Sequence, residues 1–164
     1  MEPVITAERP DSPDAAALIN ELEAHLASFY PPESRHGFSV QKLIDQQVAF
    51  FVLRAGGRPA GCGGIMLVGR EYGELKRMYV RPAFRGAGHG ARLVERLAAQ
   101  ARAHGVTHLR LETGIHQEAA IRLYERCGFR RIPPFGPYTE DPVSRCYEKR
   151  LADPVGPAPA GEHK

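Results

Sequence analysis

The chain is short of several features that would narrow its function at once. It holds only three cysteines, Cys62, Cys127 and Cys146, and no metal-like spacing joins them. An odd, scattered set is no disulfide framework. It reads as reduced thiols in a cytoplasmic protein, with Cys62 and Cys127 in apolar stretches where free cysteine serves as a small core residue. The sequence shows no signal peptide and no apolar run long enough to span a bilayer, so no membrane association is expected. Neither sign of charge prevails. With 22 Lys and Arg against 19 Asp and Glu, the net charge of +3 lacks the basic excess of a nucleic-acid binder. His25, His89, His104 and His108 share no ligand spacing, so no metal is expected. No internal repeat is present.

What is present is a glycine loop. Arg85-Gly86-Ala87-Gly88-His89-Gly90 lies between a strand-like run, Glu74–Val80, and a helix-like run that begins near Gly88. Three glycines in five positions leave successive backbone N–H groups unobstructed. A loop of this kind opening into a helix N-terminus suits phosphate, and Arg85 adds a fixed positive charge. Three readings compete. The nucleotide P-loop needs Lys and then Ser or Thr after its last glycine, but Ala91 and Arg92 follow Gly90. The dinucleotide fingerprint is met in letters by Gly86, Gly88 and Ala91, with Glu112 placed to meet a ribose. Only one strand–helix–strand unit surrounds the loop, which weakens that reading. In the third, the loop resembles the coenzyme A loop of the GCN5-related N-acetyltransferases, R/Q-x-x-G-x-G/A, which Arg85, Gly88 and Gly90 fit in full; the plain alternative to all three is a Gly-rich surface turn with no ligand.

The remaining elements give the loop its context. At 164 residues the chain is expected to be one domain over residues 1–151, followed by a Pro- and Gly-rich disordered tail, 152–164. Val4–Glu8 predicts a short strand. Asp11-Ser12-Pro13 starts a helix that carries Leu18, Ile19, Leu22, Leu26 and Phe29 at helical spacing. Ser39 caps a second short helix. Val48–Leu53 and Arg58–Val68 form a hairpin across Gly56-Gly57, and 69–73 is a further turn. Gly61, Gly63 and Gly64 suggest close approach of another backbone to the second of those strands. After the loop, Leu93, Val94, Leu97, Ala98 and Ala101 mark one helix face, ended by His104-Gly105. A strand at 107–112, a helix at 117–126 and strands at 129–132 and 144–151 complete the order β-α-α-β-β-β-α-β-α-β-β. The one helical crossover makes the strands flanking it parallel, and the hairpins make the others antiparallel. The expected fold is a mixed, mostly antiparallel α/β sheet with helices on both faces.

This order, with the loop after the fourth strand, resembles the GCN5-related N-acetyltransferase (GNAT) family over roughly Val4–Leu151. A second motif, Gln117-x-x-Ala120-x-x-Leu123-Tyr124-x-x-x-Gly128-Phe129, is similar to the family's N-x-x-A-x-x-L-Y-x-x-x-G-F, with Gln in place of the usual Asn. Gly61-Cys62-Gly63, Gly73-Glu74-Leu75-Lys76, Leu111-Glu112-Thr113-Gly114 and Pro134-Phe135 further resemble a bacterial subgroup typified by YsnE. The resemblance implies an N-acetyltransferase with acetyl-CoA as co-substrate and no metal. Its acceptor is expected to be a small-molecule amine, for a monomer or homodimer with no nucleic-acid partner.

Acetyl transfer from a thioester to an amine makes three demands: held phosphates, a deprotonated amine and a stabilised leaving thiolate. The resemblance assigns the first to Arg85, Gly86, Ala87, Gly88, His89 and Gly90. Backbone groups near Met78, Tyr79 and Val80 would pair with the pantetheine arm, in a gap beside the next strand, and Gln117 would stand at the family's Asn position. For the base, Glu74 lies eleven positions before Arg85, the offset found in a histone-acetyltransferase branch of the family. Strand alternation is expected to put Glu74, Lys76, Met78 and Val80 on one face. The alternative is a structural ion pair of Glu74 with Lys76 or Arg77. Glu112 is the rival base, or else a carboxylate that orients the helix after Gly114. Tyr124 matches the family's tyrosine facing the thioester sulfur, against a plain role as core aromatic. Arg35 and His36 fall in the loop that usually covers the family's acceptor, with Arg77 and Tyr138 as further acceptor contacts. Protein or peptide acetylation, a non-catalytic acyl-CoA sensor and an NAD-binding oxidoreductase remain as rivals.

Overall fold

A computed structural model describes residues 2–35 and 38–152. His36 and residues 153–164, most of the expected tail, lie outside the described residues.

Seven strands form one sheet in the order β1-β2-β3-β4-β5-β7-β6. They are β1 (Val4–Ala7), β2 (Ala49–Ala55), β3 (Arg58–Val68), β4 (Tyr72–Val80), β5 (His108–Gly114), β6 (Arg130–Ile132) and β7 (Ser144–Arg150). Every pairing is antiparallel except β4 with β5, the two strands joined by a helical crossover. Helices α1 (Pro13–Ala27) and α2 (Val40–Asp45) cover one face, and α3 (His89–Ala103) and α4 (Glu118–Arg126) the other. This is the expected mixed α/β architecture.

Local chemistry sets the helix ends. Ser12 caps α1 by accepting from the Ala15 N–H, and Ser39 caps α2 by accepting from Lys42. His104 ends α3, and Gly105 takes φ +76°, the left-handed stop. Leu93, Val94, Leu97, Ala98 and Ala101 are all buried, as their spacing predicts. Each large side chain so buried is worth roughly 1.5–3 kcal/mol of transfer free energy.

Three local expectations are corrected. Gly73 belongs to β4 rather than to the preceding turn, because it pairs with Leu67 and Leu109. Phe29 lies past the end of α1 and is 47% exposed, since the chain turns toward Pro31-Pro32 there. Cys127 is half-buried rather than a core residue, whereas Cys62 and Cys146 are buried; all three are free thiols. Burial pushes the Cys62 thiol up to about 12, so it stays protonated and inert.

One irregularity positions the site. The β3–β4 register slips between Cys62 and Gly64, and Arg77 opposite takes φ +55°. Alternation along β4 therefore breaks. Glu74, Lys76, Arg77 and Tyr79 serve the α1/α2 side, whereas Leu75, Met78 and Val80 pack toward α3. The expectation that Glu74, Lys76, Met78 and Val80 share a face is overturned by this bulge. Three contacts to α1 pin the strand in place. Arg77 donates to Glu23, while Tyr79 and the neighbouring Arg81 donate to Glu21. Gly61 has no room for a side chain, because a Cβ there would stand 2.8 Å from the Tyr79 carbonyl oxygen. The close approach expected at these glycines is therefore real at Gly61.

Candidate active site

The parallel strands β4 and β5 pair only at Gly73–Leu109 and Glu74–Arg110. Beyond that point they part. A cleft of about 100 Å³ opens between Leu75–Met78 on one wall and Leu111–Gly114 on the other. Leu22, Leu26 and Tyr30 close one side, and Gln117, Ala120 and Tyr124 of α4 the other. From Leu75 to Val80 β4 makes no ladder with β5; Met78 lines the gap, whereas Tyr79 and Val80 lie beyond its lining and the Val80 carbonyl is taken by Arg85.

The glycine loop lies at the end of the same strand. Gly86 and Gly88 take φ +87° and +82°, conformations that favour glycine. A Cβ built at either position meets nothing within 4 Å, so the loop surface is open. At Gly90 a Cβ would strike Leu123 at 2.7 Å, which seats the start of α3 directly on α4. Arg85 is anchored by a 3.0 Å bond from Nε to the Val80 carbonyl. His89 is buried, and its Nδ1 has no hydrogen-bond partner among the described residues. An open, positively dipolar cradle with a neighbouring guanidinium fits the pyrophosphate of a coenzyme.

Glu74 lies at the closed end of the gap, 2% exposed. Lys76 Nζ stands 2.9 Å from its Oε2, and the Tyr138 hydroxyl donates to the same oxygen at 2.5 Å. Lys76 also donates to the Tyr138 oxygen at 3.1 Å. Its ammonium rests 3.9 Å from the centre of the Phe38 ring, a cation–π contact. Burial pushes the Lys76 amine down, and the Glu74 carboxylate opposes that shift. Burial first, and then the Glu74 charge, pushes the Tyr138 phenol far up. The ion-pair alternative for Glu74 is thus present in the geometry. It does not remove the carboxylate from the cleft, whose wall Glu74, Lys76 and Tyr138 share.

Glu112 lies across the gap on β5 and accepts from the Ser144 hydroxyl of β7 at 2.6 Å. That bond ties it to β7. Tyr124 is 5% exposed, lines the cleft and packs edge-on against Phe129. Burial holds its phenol protonated well beyond the usual range, which suits a donor. Gln117 is the N-cap residue of α4. Its Oε1 is buried on the cleft wall with no partner among the described residues.

The two basic acceptor candidates, Arg77 of β4 and Arg35 of the loop after α1, divide into two roles. Arg77 donates to the Phe38 carbonyl at 2.8 Å and to Glu23, so its guanidinium is held by the fold. Arg35 Nη1 donates to the other Glu23 oxygen at 3.3 Å. Its Nε is buried without a partner among the described residues, and the residue lines the cleft. His36 lies outside the described residues. Glu23, which bridges the two arginines, was not foreseen, because nothing in an amphipathic helix marks one acidic residue among its polar positions. The Tyr30 anchor was also missed. Its hydroxyl accepts from the His116 N–H at 2.8 Å and lies against Gly114, where no side chain would fit. That contact fixes the Pro31-Pro32 corner over the gap.

Comparison with known proteins gives the arrangement a lineage. The profile of the acetyltransferase (GNAT) family matches residues 17–129. The chain is 43% identical over 148 residues to the IAA acetyltransferase of Azospirillum brasilense, across 90% of this chain and 97% of that one. It is 32% identical over 137 residues to the N-acetyltransferase YsnE of Bacillus subtilis, across 82% and 91%. A putative acyl-CoA N-acyltransferase from Klebsiella pneumoniae superimposes with a TM-score of 0.78 at 37% identity, covering 92% of this chain and 98% of that one. The PaiA N-acetyltransferase of Thermoplasma acidophilum, solved with coenzyme A, shares the fold at 17% identity, with a TM-score of 0.71 and coverage of 92% and 100%. The chain belongs to the GNAT family of acetyltransferases.

Proposed function

We propose that this acetyltransferase moves the acetyl group of acetyl-CoA onto the amine of a small molecule that also bears a carboxylate, an amino acid or related metabolite. The observation that carries this reading is Arg35. Arg35 lines the cleft that also holds the carboxylates Glu74 and Glu112, and while its Nη1 reaches Glu23, its buried Nε has no partner among the described residues. A guanidinium so placed favours a carboxylate, and the acidic pair favours an ammonium. The small cleft, about 100 Å³ and lined by Tyr30 and Tyr138, suits a small acceptor better than a peptide laid in a groove. The name of the Azospirillum relative, IAA acetyltransferase, agrees with a small acceptor. The identity with YsnE supports placing the chain in that subgroup.

The roles follow from the positions. The loop from Arg85 to Gly90 and the α3 N-terminus hold the coenzyme's phosphates, the edge of β4 at Met78–Val80, which makes no ladder with β5, binds its arm, and Gln117 Oε1 accepts from it. When bound, acetyl-CoA supplies the activated acetyl group. Glu74 takes the proton that the acceptor ammonium must lose, and Tyr124 donates toward the departing sulfur. Glu112 adds negative charge that favours the ammonium. The test is thiol release from acetyl-CoA over a panel of amino acids, polyamines, aminoglycosides and peptides. Release with amino acids above the other classes supports the reading, and release only with peptides contradicts it.

A further inference from the structure

We infer that Tyr138 is the proton carrier between the acceptor amine and Glu74, so that the base of this site is a Tyr–Glu unit held by Lys76. The inference rests on the base role proposed for Glu74. It addresses a difficulty in that role: the Glu74 side chain is only 2% exposed. The oxygen facing Tyr138 already receives both the phenol and the Lys76 ammonium. A substrate ammonium therefore has no clear approach to that oxygen. Tyr138 is the outermost member of the group and is half-buried, whereas Glu74 and Lys76 are buried. Its hydroxyl has a donor on one side, Lys76 at 3.1 Å, and an acceptor on the other, Glu74 at 2.5 Å. Its ring makes an edge contact with Phe135 at 5.2 Å between centroids, and its backbone N–H donates to the Phe135 carbonyl in a turn.

The step balances. The ammonium N–H bond breaks as a proton moves to the Tyr138 oxygen. The phenol's own O–H bond breaks as that proton moves to Glu74 Oε2. The products are a neutral amine with a lone pair, an unchanged phenol and a neutral Glu74 carboxyl, which later returns its proton to solvent. Tyr138 never becomes a phenolate, which agrees with the burial that opposes its ionisation. Lys76 pairs with Glu74 and, through its bond to the Tyr138 oxygen, holds the phenol beside that carboxylate. The other charged or titratable groups facing this unit are Glu112 of β5, Lys42 of α2, Cys146 of β7 and Tyr72 of β4.

The first test uses the amino acid that gives the fastest thiol release in a panel with acetyl-CoA. In Tyr138→Phe, kcat should fall about 10²-fold, and the acidic limb of its pH profile should disappear or shift as it does in Glu74→Gln. The double variant should be no slower than the slower single variant, because the two groups act as one unit. If Tyr138→Phe raises KM alone and keeps the limb while Glu74→Gln loses it, the carrier is wrong and the base role of Glu74 stands. If both variants keep the limb, the base role itself fails. A second test needs no acceptor. In protein labelled with 3-fluorotyrosine, the fluorine resonance absent from Tyr138→Phe identifies residue 138. It should move with pH in the wild type, and that movement should vanish in Glu74→Gln. A resonance that stays still, or moves identically in both, overturns the coupling.

Discussion

Glu74 and Lys76, two residues apart on β4, close a 2.9 Å ion pair with side chains only 2% and 6% exposed. A buried pair of this kind is costly to break, because removing one partner leaves a charge without compensation. Lys76→Met should therefore destabilise the protein by about 3–5 kcal/mol near neutral pH. The loss should be smaller in mild acid, where the remaining carboxyl can be buried neutral. Urea unfolding at the two pH values measures the difference. An equal loss at both would mean that Lys76 contributes packing against Phe38 and little charge.

The loop prediction follows from backbone conformation. Gly88 takes φ +82°, where an L side chain is strained whatever space surrounds it. Gly88→Val should distort the cradle and weaken acetyl-CoA binding at least tenfold, about 1.4 kcal/mol. Calorimetry on the folded variant reads this directly. Unchanged affinity would remove the loop from the coenzyme site.

Tyr124→Phe deletes one hydroxyl from a buried ring and leaves the edge contact with Phe129 in place. If the hydroxyl donates toward the leaving sulfur, kcat should fall about 10²-fold with the Kd for acetyl-CoA almost intact. Equal kcat in the two proteins would leave Tyr124 a packing role alone.

Acid sensitivity should come in part from the other end of the sheet. Glu8 accepts from Arg54 at 2.5 Å, and from Thr6 and Ser12 at 2.8 Å each. The Arg54 hydrogen bond is the main cause that holds the Glu8 carboxyl below its ordinary 4.5. A carboxyl lowered by folding contributes stability that is fully present above its unfolded value. That contribution is lost as pH falls through the folded value. Glu8→Gln should cost roughly 1 kcal/mol near pH 7 for a partly exposed pair, and the difference between the two proteins should shrink as pH falls below the ordinary carboxylate range. Denaturation midpoints across that range test the sign.

Much of the molecule was legible in the sequence because local chemistry marks it. Ser12, Ser39 and Gly105 announce helix ends, the spacing from Leu93 to Ala101 announces a buried face, and the glycines of the loop announce a backbone that must stay bare. The i, i+2 spacing of Glu74 and Lys76 also revealed that they could pair. The bulge at Arg77 was not legible. Nothing in Lys76-Arg77-Met78 marks a non-glycine residue with φ +55°, which α1 stabilises from a distance through Glu23. Because side chains alternate along a strand, that single irregularity reassigned Met78 and Val80 to the opposite face. The contact of Tyr138 with Glu74 spans 64 positions and depends on how the loop before β7 folds back, which no local pattern records.

The acceptor's carboxylate is the central claim, and Arg35 is its test. The most direct measurement compares a free amino acid with its amide as acceptor, in the wild type and in Arg35→Ala. The wild type should prefer the acid by about 1.5–3 kcal/mol in kcat/KM, the range for hydrogen bonds to charged groups. Arg35→Ala should lose that preference through a higher acceptor KM while its Kd for acetyl-CoA stays unchanged, and Arg35→Lys should restore it poorly, since an ammonium offers no planar fork. Equal rates for acid and amide in the wild type would contradict the carboxylate and turn the search to polyamines or peptides.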